Sequence, residues 1–132
     1  MSEEREIAAA LAANEAFYAA LGGGEYRAMD RLWATTEAVA CIHPGSAPLH
    51  GRVAVMESWK AILSQPPSME IQEERAVVIR GMAFVTCREQ VDDVALAATN
   101  IFVWEDGQWR MVHHQAGHMA PTASPGAGQP LH

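Results

Sequence analysis

His43, Glu89 and His113 are the side chains whose types and positions could do chemistry, and the chemistry is proton transfer. An imidazole titrates near neutrality and can take or give a proton at physiological pH. A carboxyl group turned into an apolar cavity resists ionisation, which suits it to acid–base work. The clearest juxtaposition involves His113. Asp106-Gly107 between two alternating runs is a two-residue turn signal, because both central residues take positive φ. Counting back from that turn, Trp104 faces Trp109, Phe102 faces Met111, Asn100 faces His113 and Ala98 faces Gln115 on one side of a sheet. An amide oxygen opposite an imidazole nitrogen fixes which nitrogen stays basic. The expected catalytic groups are therefore His113, His43 and Glu89, with Asn100 orienting the base or donating to an oxyanion. His114 points to the opposite face in this register.

Phe17, Trp33, Trp59, Cys87 and Phe102 are the expected lining of the same pocket. Cys87 has no basic neighbour on its face and reads as a small filler rather than a nucleophile. The types of His43, His113, Cys87 and Glu89 would suit zinc or iron, yet none lies at short-range ligand spacing. His114 and His118, four apart on a strand, are separated by about 13 Å. No metal is expected. No phosphate loop, nucleophile elbow or dinucleotide fingerprint occurs, so no cofactor is expected either.

These residues need elements to hold them. Ile7, Leu11, Asn14, Phe17 or Tyr18, and Leu21 recur at helical spacing, predicting a first helix over 3–21 with Ser2 as its cap and Gly22-Gly23-Gly24 as its end. A short second helix runs from Glu25 to about Trp33, and a third from Arg52 to Leu63 before Gln65-Pro66-Pro67-Ser68. Val39–His43 reads as a short strand. From Met69 the period becomes two, predicting strands at 69–79, 82–91, 94–105 and 108–118 joined by Arg80-Gly81, Asp92-Asp93 and Asp106-Gly107, an antiparallel meander. Residues 1–119 form one domain. Residues 120–132, rich in Pro, Gly and Ala, form a flexible tail.

Composition narrows the partners. The chain has 132 residues, half of them apolar, and a net charge of −7, which argues against nucleic acid or an anionic membrane. Met1-Ser2-Glu3-Glu4 is acidic where a signal peptide would be basic, and no run approaches a membrane span. Two cysteines make no disulfide framework, so the expectation is a cytoplasmic protein. The face carrying Phe84, Ile101, Val103 and Val112 is too apolar for water, and the helices cover only the other one. A homodimer through that outer face follows.

Several motifs carry a resemblance: Asn14-Glu15-x-Phe17-Tyr18, Cys41-Ile42-His43-Pro44-Gly45, Gly51 before the third helix, Thr99-Asn100-x-Phe102 and Gly107-x-Trp109-Arg110-Met111-Val112-His113-His114. In that order they resemble the nuclear transport factor 2-like superfamily, with its SnoaL-like cyclases and ketosteroid isomerases. The resemblance covers roughly residues 5–118. It implies an α+β fold with three N-terminal helices in the concave face of a strongly bent, mixed but mainly antiparallel sheet, the cystatin-like cone. In ketosteroid isomerases of this fold a first-helix tyrosine holds the oxyanion and a strand-end carboxylate moves the proton. Those positions fall on Phe17 and His43, while Tyr18 lies about 100° further around the helix. The familiar isomerase arrangement is thus absent, and the expectation is a small-molecule site, binding alone or moving a proton on a ligand. The last motif also resembles the association domain of calcium/calmodulin-dependent kinase, which implies the alternative of a non-catalytic scaffold.

Overall fold

A computed structural model describes residues 2–120. Alanine-rich sequence winds into α1, Glu3–Gly23, started by Ser2, whose hydroxyl accepts the Arg5 amide hydrogen at 3.2 Å. Gly24 ends it at φ 65°, and a Cβ there would lie 3.1 Å from the Leu63 carbonyl oxygen. Only glycine meets both demands. Then come α2 (Tyr26–Leu32), β1 (Ala40–Ile42), β2 (Leu49–His50) and α3 (Arg52–Leu63). Arg52 ties α3 to α2 through the Asp30 carboxylate at 3.0 Å. The remaining strands are β3 (Glu70–Ile79), β4 (Met82–Val91), β5 (Val94–Glu105) and β6 (Gln108–His118).

The six strands form one open sheet in the order β2-β1-β6-β5-β4-β3. β1 runs parallel to β6, and the other pairings are antiparallel. At two hairpin turns both central residues take positive φ, Arg80 (47°) with Gly81 (76°) and Asp106 (52°) with Gly107 (78°), as the turn chemistry requires. The expected meander is present. The two-residue β2 went unforeseen, since two residues carry no periodicity. The tail expected over 120–132 lies outside the described residues, Ala120 excepted.

Two bulges decide what faces the helices. Between β5 and β6, Phe102 pairs with Met111 but Ile101 pairs with His113, leaving Val112 as an extra residue. The ladder therefore sets Asn100 opposite His114, not His113, and Ala98 opposite Ala116, not Gln115. This corrects the register expected from the turn: a single inserted residue exchanges the two faces of everything beyond it. His114 becomes a core residue at 3% exposure, and His113 joins the outer row of Val77, Phe84 and Ile101. In β3 the break falls between Gln72 and Arg75, with Glu73 at φ 57°. It lets Ile71 and Glu74 both turn inward.

The core lies between the helices and the inner sheet face. Phe17, Trp33, Trp59 and Phe102 are fully enclosed there, each contributing about 1.5–3 kcal/mol by leaving water. No helix among the described residues is long and apolar enough to cross a membrane.

Candidate functional site

Asn14 and Tyr18 sit one turn apart on α1 and face the sheet. Asn100 lies beneath them on β5, flanked across the ladder by Val85 and His114, and Glu89 stands further along β4 opposite Leu96. Asn14, Glu89, Asn100 and His114 are the buried polar groups among the described residues, and they form one network with Tyr18. Asn100 Nδ2 donates to Asn14 Oδ1 at 2.7 Å and to the Tyr18 hydroxyl at 3.1 Å. Tyr18 donates to Glu89 Oε2 at 2.6 Å, and its oxygen also lies 3.4 Å from the Cys87 sulfur. Asn14 Nδ2 donates to Glu74 Oε2 at 2.8 Å. His114 Nδ1 is 2.5 Å from Asn100 Oδ1. An amide oxygen only accepts, so Nδ1 carries the ring proton and Nε2 keeps the lone pair. That Nε2 is 4.0 Å from Glu89 Oε2.

Burial sets the charge states. Desolvation, reinforced by His43 and His113, lowers the His114 pKa to about 3. Desolvation raises that of Glu89, opposed in part by the Tyr18 hydrogen bond. Both shifts favour the neutral forms, a protonated carboxyl beside an unprotonated imidazole. Tyr18 is pushed up by desolvation and then by Glu89, so its hydroxyl remains a donor.

Glu89 and His114 open onto a cavity of about 200 Å³. His43 is its third polar lining residue, and Leu21, Trp59, Ile62, Met69 and Leu96 form much of its wall. His43 Nε2 lies 2.9 Å from Ser58 Oγ. Because Ser58 commits its hydrogen to the Val55 carbonyl at 2.6 Å, His43 Nε2–H is the donor of that pair. Its ring stands edge-on to Trp59, 4.8 Å between centroids, and burial lowers its pKa.

Of the residues singled out from sequence, His43, Glu89 and Trp59 line this cavity. His113 does not; the bulge turns it to the outer face, and His114 occupies the place expected for it. Asn100 lies behind His114 as its partner. Phe17, Trp33 and Phe102 are core residues away from the lining, because the helices press onto that part of the sheet; Phe17 packs against the rings of Tyr18, Trp59 and His114. Cys87 sits behind Tyr18 with a raised pKa from desolvation. Tyr18, Glu74 and Asn14 are polar partners beyond those expected from the sequence. The signals were available for two of them: Tyr18 and Asn14 are four apart on the same helix. For β6 the signal was Gln115, a poor core residue, beside Ala116, a good one.

An open six-stranded sheet carrying three helices on one face is an α+β cone fold. The family model for the SnoaL-like domain matches residues 10–121, and the chain belongs to that family. It is similar to the F-box protein SKIP8 of Arabidopsis thaliana, 30% identical over 115 residues that make up 84% of this chain and 50% of that protein. The chain thus spans about half the length of this curated relative. Among solved structures it is similar to a candidate dehydratase of the nuclear transport factor 2-like family from Streptomyces avermitilis, with a TM-score of 0.84 and 25% identity over 90% of this chain and 99% of that one. It is also similar to a candidate calcium/calmodulin-dependent protein kinase type II association domain from Thiobacillus denitrificans, with a TM-score of 0.74 and 31% identity over 83% of this chain and 94% of that one.

Proposed function

We propose that the cavity binds a small uncharged molecule bearing a carbonyl or hydroxyl group and moves a proton on it. His114 Nε2 is the base and Glu89 the acid. The observation that carries this reading is the pair itself: an imidazole nitrogen and a carboxyl oxygen 4.0 Å apart, 3% and 2% exposed, against a mainly apolar wall. Paired groups held neutral by their surroundings are suited to opposite roles. His114 takes a proton from carbon next to the ligand's carbonyl while Glu89 gives its own to the oxygen, forming the enol, and reversal exchanges that proton. Where the ligand carries a β,γ double bond, the imidazolium returns the proton at the γ carbon as Glu89 recovers its own from the oxygen, and the ligand is isomerised. With a β-hydroxyl group Glu89 instead protonates the departing oxygen, and water and an alkene leave. The imidazolium then returns its proton to the Glu89 carboxylate, and the site is reset.

The lining narrows the ligand. It includes no Lys or Arg to neutralise an anion. An apolar cavity of roughly 150 Å³ admits benzene, so about 200 Å³ suits a single substituted ring or a short chain rather than a fused-ring skeleton. The dehydratase name borne by the Streptomyces avermitilis relative supports the same class of reaction. Two buried free thiols, Cys41 and Cys87, suit a reducing compartment, and cytoplasmic residence is part of the reading.

A second copy of the chain is the proposed partner. Val77, Ile79 and Met82 are exposed on the outer face, beside part-buried Phe84, Ile101 and Val103. One subunit alone leaves this apolar patch in water.

The test uses monocyclic ketones and alcohols such as cyclohexanone, with binding read by ligand-observed NMR and exchange of the carbon-bound protons followed in D2O. The wild type binds and accelerates exchange, whereas His114→Ala and Glu89→Gln reduce exchange to the buffer rate. Exchange persisting in both variants would remove them from the chemistry.

A further inference from the structure

We propose that Glu74, which lies outside the cavity, determines which nitrogen of His114 carries the ring proton, acting through the two amides between them. This rests on the reading of His114 as the base and makes Glu74 a positioning residue.

The amide group is nearly symmetric in shape, so an asparagine can present either edge to a neighbour at little steric cost. Asn14 and Asn100 face each other in the core, and as an isolated pair they satisfy one another equally well in two arrangements. In one, Asn100 turns its oxygen to His114, Nδ1 carries the proton and Nε2 is basic. In the other, both amides are reversed, Asn100 turns its NH2 to His114, and Nδ1 must accept. The proton then sits on Nε2, and the ring can no longer act as a base toward the cavity.

A carboxylate breaks this degeneracy because it has only lone pairs to offer. Glu74 Oε2 takes the Asn14 Nδ2 hydrogen at 2.8 Å. Asn14 must then present its oxygen to Asn100, at 2.7 Å, and Asn100 its oxygen to His114. Each link in the chain Glu74–Asn14–Asn100–His114 donates toward the carboxylate. The β3 bulge supplies the geometry, since Glu73 at φ 57° absorbs the extra residue and leaves Glu74 turned to α1. Tyr18 offers Asn100 a second acceptor, but only while its own hydrogen is committed to Glu89. A protonated Glu89 can donate as well as accept, so it does not by itself hold the phenol in one orientation, and Glu74 is the one member of the chain that can only accept.

The experiment removes the Tyr18 route and reads the tautomer directly. Long-range 1H–15N spectra of the His114 ring, assigned against His114→Gln, distinguish a protonated Nδ1 from a protonated Nε2. Tyr18→Phe retains the Nδ1–H form, as the wild type does, whereas Tyr18→Phe/Glu74→Ala shows a mixture of both forms. Adding Asn14→Asp to Tyr18→Phe/Glu74→Gln moves the acceptor one link inward and restores a single Nδ1–H form; this variant also carries the test should the double variant not fold. A single Nδ1–H form in Tyr18→Phe/Glu74→Ala, a mixture already in Tyr18→Phe, or no restoration by Asn14→Asp would overturn the proposal. None of these readouts uses a ligand. Failure of the proton-transfer reading shows instead as unaltered exchange in His114→Ala, so the two fail separately.

Discussion

His114 Nδ1 and Asn100 Oδ1, 2.5 Å apart, are direct partners across the β5–β6 ladder, and this is the shortest link of the buried network. The contact joins sheet geometry to chemistry. Backbone pairing fixes where the two side chains meet, and the amide oxygen then fixes which imidazole nitrogen keeps its lone pair. A buried network of this kind is strong when every member is satisfied and costly when one is removed.

Asn100→Ala tests that cost. The substitution strands His114 Nδ1, Asn14 Oδ1 and the Tyr18 hydroxyl without their shared partner. A buried polar group left unpaired costs about 1–3 kcal/mol, and partial relaxation should leave a total near 3 kcal/mol. Urea denaturation is the measurement, with the loss read at unchanged slope. A loss below about 1 kcal/mol would mean that water replaces the amide.

The pH dependence of stability isolates His114. Its pKa is about 3 in the fold and about 6.5 in the unfolded chain. Between those values the unfolded chain binds a proton that the native one refuses, so the contribution present above pH 6.5 is lost as pH falls toward 3. By pH 4 the loss is about 3 kcal/mol. Glu89 works in the other sense, because a raised pKa favours the fold at low pH and that contribution is lost as pH rises through it. His114→Gln removes the first effect and keeps the second. Its stability should fall less than that of the wild type between pH 6.5 and 4, as followed by denaturant midpoints at each pH; parallel curves would mean that folding leaves the His114 pKa unshifted.

The outer face gives a third expectation. Val77→Glu places a charge beside Phe84 on the outer face without touching the core. Light scattering should report a dimer for the wild type and a monomer of unchanged circular dichroism for the variant. A wild-type monomer at tens of micromolar would remove the proposed partner.

Much of the architecture was legible because local rules decide it. α3 and the three strands after β3 begin and end where capping, proline and turn residues put them. The site was half legible. Glu89 and Asn100 follow from alternation along regular parts of β4 and β5, and His43 from its position before Pro44. His114 could not be reached that way, since a turn dictates register only as far as the first irregularity, and the extra residue lies between the Asp106-Gly107 turn and the network. Glu74 was hidden for the same reason, behind the bulge in its own strand. The angle separating Tyr18 from Phe17 turns it away from the pocket on an isolated helix, yet a helix pressed into a concave sheet buries a stripe wide enough for both.

The bulge at Val112 leaves one last consequence. Histidines occupy both 113 and 114, so a straight ladder and an irregular one each bring an imidazole to Asn100. Deleting Val112 would straighten β6 and still deliver His114 to the same partner, because Met111 and His114 would then stand two apart. Loss of a residue between His114 and the strand's end would instead shift Ala116 and spoil the fit beneath α1. The unpaired residue makes this stretch tolerant of a length change that elsewhere in the sheet would turn a core inside out.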